Sequence, residues 1–160
     1  MIFYYLDASA WVKRYYQETG TRWVQKLFTD GVTLTCASLG VVEVTATLAR
    51  KAKAREISRG RLTRKVRELD EDWSHFIQVH LSVEAVNQAR EVARQRALRG
   101  ADAIHLASAL VLRSRFVEEE DRLVFVASDH QLKDAARSAG FTVADPEEED
   151  SEAEPQPEGR

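Results

Sequence analysis

The chain has 160 residues, of which 44% are hydrophobic, and a formal net charge of −3 at pH 7. This length supports one domain with a single core, and the composition excludes a disordered chain. No apolar stretch approaches the roughly 18 residues that a membrane span requires. No secretory signal is visible, so we expect a cytoplasmic protein without a membrane segment.

Strands and helices are predicted to alternate along the chain. Five apolar runs predict strands, over 2–6, 33–36, 76–80, 123–127 and 141–143. Turn residues and periodic apolar positions predict helices over 8–17, 21–28, 38–73 with a bend near 58–60, 86–97, 102–113 and 129–139. The single cysteine, Cys36, falls in the second strand and is expected to be buried rather than reactive.

This alternation predicts an α/β, doubly wound domain with a central, mostly parallel sheet and helices on both faces, because parallel neighbours need crossover connections. We assign residues 1–145 to this domain. Residues 146–160 carry seven acidic side chains against one arginine and all three prolines, so we predict a disordered acidic tail. Such a tail would keep the protein soluble; the alternative is a regulatory segment that competes with nucleic acid for basic surfaces.

Four acidic residues occupy positions that are useful to chemistry. Asp7 and Asp129 follow predicted strands, and ligands of doubly wound folds bind at the carboxyl ends of strands. Asp102 opens an apolar helix. Helix capping or the helix dipole would explain each of these three acids without catalysis. Glu43 lies inside a helix beyond the reach of capping, so it needs a cation or a hydrogen-bond donor. An arginine partner is the explanation that involves no metal ion.

The four acids stand in motifs that resemble those of PIN-domain proteins, in order and approximate spacing. More narrowly, the compact size is similar to that of the VapC-type toxins of toxin–antitoxin pairs. The motifs are Leu6-Asp7-Ala8-Ser9, Val42-Glu43-Val44, Gly100-Ala101-Asp102-Ala103-Ile104-His105-Leu106-Ala107 and Ser128-Asp129-His130-Gln131-Leu132. The resemblance covers nearly the whole chain before the acidic tail. In the last motif the family often has a hydroxyl residue where this chain has Ala127, and the adjacent Ser128 is expected to substitute.

The resemblance implies a PIN-like fold and a metal-dependent endoribonuclease, and oxygen ligands alone favour Mg²⁺ or Mn²⁺. In this hypothesis Asp7, Glu43 and Asp102 bind metal directly, while Asp129 binds a second ion or orients water. Four carboxylates within a few ångströms would repel one another unless cations neutralised them. Ser9 is expected to support a metal ligand or the phosphate. His105 is expected to be a hydrogen-bonded core residue rather than a base.

An RNA substrate requires positive charge near these acids. The segment 50–67 supplies it, with a single acid, Glu56, and nine basic side chains. The predicted RNA-binding residues are Arg50, Lys51, Lys53, Arg55, Arg61, Arg64 and Lys65. The alternative is a solvated helix face without a ligand.

The resemblance also implies a cognate antitoxin and a homodimer. Trp11, Tyr15 and Tyr16 could form an interface, although core packing is the better expectation for Trp11.

Two other functions compete with the nuclease. One is a non-catalytic binding module whose acids only cap helices. The other is a haloacid-dehalogenase-like phosphatase, which normally needs an acid two residues after the first aspartate, where this chain has Ser9.

Overall fold

The fold is described by a computed structural model, which covers residues 1–153. The strands are β1 (Ile2–Leu6), β2 (Thr33–Ala37), β3 (Ile77–Val79), β4 (Arg122–Val126) and β5 (Thr142–Ala144). The helices are α1 (Ala8–Trp11), α2 (Thr21–Leu27), α3 (Ser38–Lys53), α4 (Arg59–His75), α5 (Val83–Arg96), α6 (Gly100–Phe116), α7 (His130–Ser138) and α8 (Pro146–Ala153). None of these helices combines the length and apolar character needed to cross a membrane.

The five strands form one sheet in the order β3-β2-β1-β4-β5, and every neighbouring pair is parallel. The predicted fold class is therefore confirmed. Strand order reverses at β1, which pairs with β2 on one side and with β4 on the other. The carboxyl ends of β1 and β4 lie side by side, because Leu6 is in register with Val126. This is the edge at which doubly wound folds bind ligands.

Alternate residues of the central strands supply two apolar cores, one on each face. Phe3 and Tyr5 point into the core beneath α5, α6 and α7, while Leu6 points into the core beneath α1, α3 and α4. The two-residue period of a strand places these neighbours on opposite faces. Helix layers on both faces explain why the strands read as continuous apolar runs.

The first helical segment is shorter than predicted. The helix expected over 8–17 ends at Trp11 and continues as a short 3-10 helix, Val12–Arg14. Trp11 is fully buried, as expected, and it stacks on Phe76 with ring centroids 4.6 Å apart. Tyr15 is also buried and donates to Asp72, so neither ring is available for the aromatic interface considered above.

The prediction of disorder from residue 146 onwards is wrong for its first half. Pro146–Ala153 form α8, which packs on α2, whereas residues 154–160 lie outside the described part of the chain. The Asp150 carboxylate accepts hydrogen bonds from the backbone N–H groups of Gly20, Arg22 and Trp23, at 2.8 to 3.3 Å. It therefore caps α2 from a distant part of the chain. Composition could not reveal this docking, because its partners are backbone groups far away in sequence.

Two lysines and one glycine complete the attachment of α8. Lys13 and Lys133 are buried and pair with Glu147 and Glu148 respectively. Gly20 has a φ of +97°, and a Cβ at this position would lie 2.8 Å from the Cβ of Pro146. A side chain at position 20 would therefore be strained and would push α8 away.

We predict that Asp150→Ala lowers the unfolding free energy by about 1 to 2 kcal/mol, because three N–H groups at the start of α2 lose their acceptor. Denaturant unfolding followed by circular dichroism measures the change. Glu152→Ala is the matched control, since this acid is exposed on the same helix. Equal stability of the two variants would show that α8 is not docked in solution.

Candidate active site

Asp7 is the innermost of the four acids. It follows β1 directly, and its backbone N–H donates to the carbonyl oxygen of Val126 at 3.1 Å, which ties it to the end of β4. Its carboxylate caps α1, accepting from the Ala10 N–H at 2.8 Å and from Ser9 Oγ at 2.9 Å. The side chain is almost fully buried. Capping is thus real at this position, yet it does not remove the cost of burying a charge.

The electrostatic environment of Asp7 reflects that cost. Burial raises the pKa of Asp7 from 3.8 to about 6, against the opposing effects of His105, Ala10 and Ser9. The negative charge of Asp102 raises the same pKa further. A cation next to Asp7 would favour the ionised form. Asp7 therefore fits the role of a metal ligand, because a bound cation would neutralise the negative charge of its carboxylate.

Glu43 lies in the second turn of α3 and meets a histidine rather than an arginine. His105 Nε2 is 2.6 Å from Glu43 Oε1, and His105 Nδ1 is 2.9 Å from the hydroxyl of Tyr5. The expectation that His105 is a hydrogen-bonded core residue is confirmed, since only 2% of it is exposed. Its partners could not be read from the sequence.

Gly40 allows α3 to pack closely against β2 and α6. A Cβ at position 40 would collide with Cys36 Sγ and would lie 3.5 Å from Cε1 of His105. Cys36 itself is fully buried in β2, as predicted. A glycine one turn before an acid, on a helix that starts directly after a strand, was the available sign of this close packing.

Asp102 and Asp129 share one cationic neighbour, Arg99. An Arg99 guanidinium nitrogen lies 3.1 Å from Oδ2 of Asp102, in the first turn of α6, and 3.9 Å from Oδ2 of Asp129. Asp129 also caps α7 by accepting from the Leu132 N–H at 2.9 Å. Sequence reasoning missed Arg99, although it precedes Asp102 by three residues, a spacing at which opposite charges pair at the start of a helix.

The structure brings the four acids to one edge of the sheet but does not pack them against one another. His105 contacts Glu43, and Arg99 lies between Asp102 and Asp129. Within residues 1–153 no three His, Cys, Asp or Glu side chains are arranged to hold a metal ion. The expected spacing of a few ångströms among all four carboxylates is therefore not seen. The oxygen-only donors still suit a hard divalent cation, and Arg99 shows that this edge already accommodates positive charge.

Ser128, the second residue expected to support the site, contacts a different acid. Its hydroxyl donates to Asp145 Oδ1 at 2.7 Å, and Asp145 also accepts from Lys133 Nζ at 2.6 Å. Ser128 therefore contributes to a buried ion pair, and its support of the acidic site stays a prediction. Ser9, by contrast, lies where it was expected, with its hydroxyl on the Asp7 carboxylate.

The predicted RNA-binding segment forms the last turn of α3, a tight bend and the first half of α4. An open cavity of about 900 Å³ lies at the bend, and its apolar lining residues include Ile57 and Leu62. Its basic lining residues are Lys53, Arg55, Arg59 and Arg61, and none of the four site acids lines it. Of the other predicted residues, Arg50 and Arg64 are exposed on the same two helices.

The charges around this cavity are unevenly compensated. Lys51 pairs with Glu56 and Lys65 pairs with Glu68. The four basic residues that line the cavity make no ion pair with any residue among 1–153. Arg55 adopts a φ of +60°, which is unusual for a residue with a side chain. The bend is thus a locally strained, positively charged concavity.

Comparisons with known proteins agree with this architecture. A model of the PIN domain matches residues 4–138. Two Mycobacterium tuberculosis proteins, ribonuclease VapC45 and ribonuclease VapC49, are each 36% identical to the chain over 141 residues, which covers 88% of this chain and 93% of theirs.

Solved structures show the same fold at lower identity. PAE2754 from Pyrobaculum aerophilum aligns with a TM-score of 0.64 at 22% identity and covers 94% of both chains. A toxin–antitoxin complex from Klebsiella pneumoniae aligns with a TM-score of 0.60 at 18% identity, covering 89% of this chain and 96% of that one. Both similarities concern the fold alone.

We predict that Asp7→Asn stabilises the metal-free protein at neutral pH. The folded-state pKa of Asp7 is raised, so its contribution to stability is fully present below the unfolded value of 3.8 and is lost as the pH rises through about 6. Over that window the wild type should lose roughly 3 kcal/mol of unfolding free energy from this group. Asparagine keeps an oxygen for the Ala10 N–H and has no charge to bury.

Denaturant unfolding in a chelator, at several values between about pH 4 and pH 7.5, measures this effect as the difference between variant and wild type. The difference should grow up to about pH 6 and then stay constant. The contributions of other titrating groups to the unfolding free energy cancel in the difference between variant and wild type. Curves that run parallel across the whole range would contradict the assigned burial of the Asp7 charge.

Proposed function

The chain belongs to the PIN domain family and is related to the VapC ribonuclease toxins, and from this premise we propose that it is a metal-dependent endoribonuclease, the toxin of a toxin–antitoxin pair. The family resemblance expected from the motifs is confirmed. The observation that carries the proposed activity is Asp7: a nearly buried carboxylate with a raised pKa, at the point where strand order reverses. Three further acids surround that edge of the sheet.

In the proposed mechanism the protein holds ions and substrate and supplies no nucleophile. Asp7, Glu43 and Asp102 would hold Mg²⁺ or Mn²⁺, and Asp129 would hold a second ion or orient water. A bound divalent ion would activate water for attack on the phosphodiester and stabilise the leaving oxygen. Ser9 keeps the Asp7 carboxylate in place through its hydroxyl hydrogen bond. Arg99 lies against Asp102 and Asp129 in this structure, and a metal ion held by these acids would replace the positive charge that Arg99 supplies.

The basic cavity at the α3–α4 bend is the proposed binding site for the RNA backbone. Its four basic side chains make no ion pair within the described chain, so phosphates can approach without displacing an internal partner. Glu56, the one acid in the lining, is occupied by the Tyr16 hydroxyl and Lys51. Backbone contacts of this kind position RNA without reading its sequence, so specificity would come from RNA shape and unpaired loops.

The proposed protein partners are a cognate antitoxin and a second copy of the chain. One structural neighbour is a toxin–antitoxin complex, and an antitoxin would be expected to cover the acidic edge. The homodimer stays a prediction from the family. Its interface does not use Trp11 or Tyr15, since both are buried within the chain.

One alternative function, a non-catalytic PIN-like binding module, has observations in its favour. Asp7 and Asp129 do cap helices, and among residues 1–153 no preformed metal site exists. Such a module would bind neither Mg²⁺ nor Mn²⁺ at the acidic edge. The phosphatase alternative has no such support, because the family match covers most of the chain.

We predict that Asp7→Ala, Glu43→Gln and Asp102→Asn each lower Mg²⁺-dependent RNA cleavage by at least about 100-fold, because each removes a ligand for the ion. Asp129→Asn should cost less. Cleavage of a labelled single-stranded RNA measures the rates. Calorimetric titration with Mn²⁺ tests binding in the same variants, with circular dichroism as the folding control. Full activity in Asp7→Ala and Glu43→Gln would exclude the mechanism, and a wild type that binds no Mn²⁺ would favour the module.

We also predict that Lys53→Gln combined with Arg61→Gln weakens RNA binding whatever the sequence. The slope of log affinity against log salt should fall by roughly 0.7 for each charge removed. Fluorescence anisotropy in a chelator measures binding without cleavage. The matched control is Arg22→Gln combined with Arg90→Gln, two exposed basic residues on α2 and α5. An equal effect of both pairs would show that RNA binding depends on the net charge of the protein and not on the cavity.

A further inference from the structure

A hydrogen-bonded series runs from β1 through α6 to α3. The Tyr5 hydroxyl is 2.9 Å from His105 Nδ1, and His105 Nε2 is 2.6 Å from Glu43 Oε1. The backbone N–H of Ala37 donates to the same hydroxyl at 3.2 Å. Tyr5 is fully buried and His105 nearly so, whereas 32% of the Glu43 side chain is exposed. The series thus begins in the core and ends at the acidic edge.

The donor and acceptor roles follow from the groups themselves. The Glu43 carboxylate can only accept, so Nε2 of His105 carries a proton and donates it. The Tyr5 hydroxyl accepts from Ala37 and still has its own proton to donate to Nδ1. If the imidazole is doubly protonated, the hydroxyl accepts from Nδ1 instead. In both cases Nε2–H points at Glu43, so the contact does not depend on the charge of His105.

This contact leaves the two oxygens of Glu43 in different situations. Oε1 is held by His105, whereas Oε2 has no hydrogen-bond partner within residues 1–153. The neighbours of Glu43 along α3 include Gly40, Ala46 and Thr47, and within residues 1–153 none of the three hydrogen-bonds its carboxylate. Without His105 the glutamate would therefore sample several rotamers, and ordering it again on metal binding would cost conformational entropy.

We propose that His105 is a positioning residue of the proposed ribonuclease site: it holds Glu43 by Oε1 so that Oε2 is presented to a divalent cation, while Tyr5 fixes the imidazole ring. This inference rests on the proposed function. It gives α6 two tasks, because Asp102, an acid of the site, lies three residues before His105 on the same helix. One helix thereby supplies one ligand and orients another that belongs to α3.

The first test is Mn²⁺ binding by calorimetry on the full chain. His105→Ala should weaken Mn²⁺ affinity by about 10- to 100-fold, the usual effect of removing a partner that orients a metal ligand. His105→Gln should stay within a few-fold of wild type, since its amide can donate to Glu43 from a similar place. Ser108→Ala is the control, because Ser108 is buried on the same helix and its hydroxyl has no partner among the described residues. Equal affinity of His105→Ala and wild type would overturn the proposal.

A double-mutant cycle separates positioning from a general structural effect. In a Glu43→Gln background, His105→Ala should cause little further loss of Mn²⁺ affinity, because its effect acts through the Glu43 carboxylate. Additive losses would overturn the positioning role and assign His105 to the stability of the core. Thermal unfolding of all variants shows whether the fold survives.

Nitrogen NMR of histidine-labelled, metal-free protein provides a readout that does not depend on the metal. The His105 signal should show a proton on Nε2, and Tyr5→Phe should shift Nδ1 while leaving Nε2 protonated. A proton on Nδ1 alone would overturn the proposed contact. If this signature is present but wild type binds no Mn²⁺, the proposed function fails and the role in metal positioning fails with it. If wild type binds Mn²⁺ and cleaves RNA while His105→Ala does both equally well, only the positioning role fails.

Discussion

The end of β1 places two polar groups, the Tyr5 hydroxyl and the Asp7 carboxylate, inside an otherwise apolar domain. Buried polar groups need partners, and these two find them in different elements. Tyr5 contacts β2 through the Ala37 N–H and α6 through His105, while Asp7 contacts α1 through the Ala10 N–H. His105 extends the chain of contacts to α3. Helices α3 and α6, which carry Glu43 and Asp102, are thus held at one edge of the sheet by the same groups that the central strand must satisfy.

Much of this arrangement could be predicted from the sequence, and for identifiable reasons. Five apolar runs with helices between them allow little other than a parallel sheet covered on both faces. Asp7 and Asp129 lie at the expected strand ends, and each caps the following helix. Helix capping does not exclude a role in a site, because the Asp7 carboxylate caps α1 and is still buried with a raised pKa.

What could not be predicted depends on contacts between residues far apart in the chain. His105 looked like a core residue, and only the approach of α3 over Gly40 reveals that it holds Glu43. Ser128 was judged by its neighbour in sequence, yet its hydroxyl faces Asp145. The acidic segment after Pro146 was judged by composition, whereas its order comes from two buried lysines and the backbone of α2. In each case local pattern identified a polar residue correctly and gave no information on its partner.

The central place of β1 has a consequence for how the protein is made. β1 is synthesised before either of its neighbours in the sheet, and β4, which covers its second edge, follows only after α6. Pairing between segments so distant in sequence is slow and leaves a strand edge open in the meantime. The same order of synthesis delays the formation of the acidic edge, because Asp102 and Asp129 leave the ribosome long after Asp7 and Glu43. A nascent chain therefore cannot bring the four acids to one edge of the sheet until Asp129 has emerged.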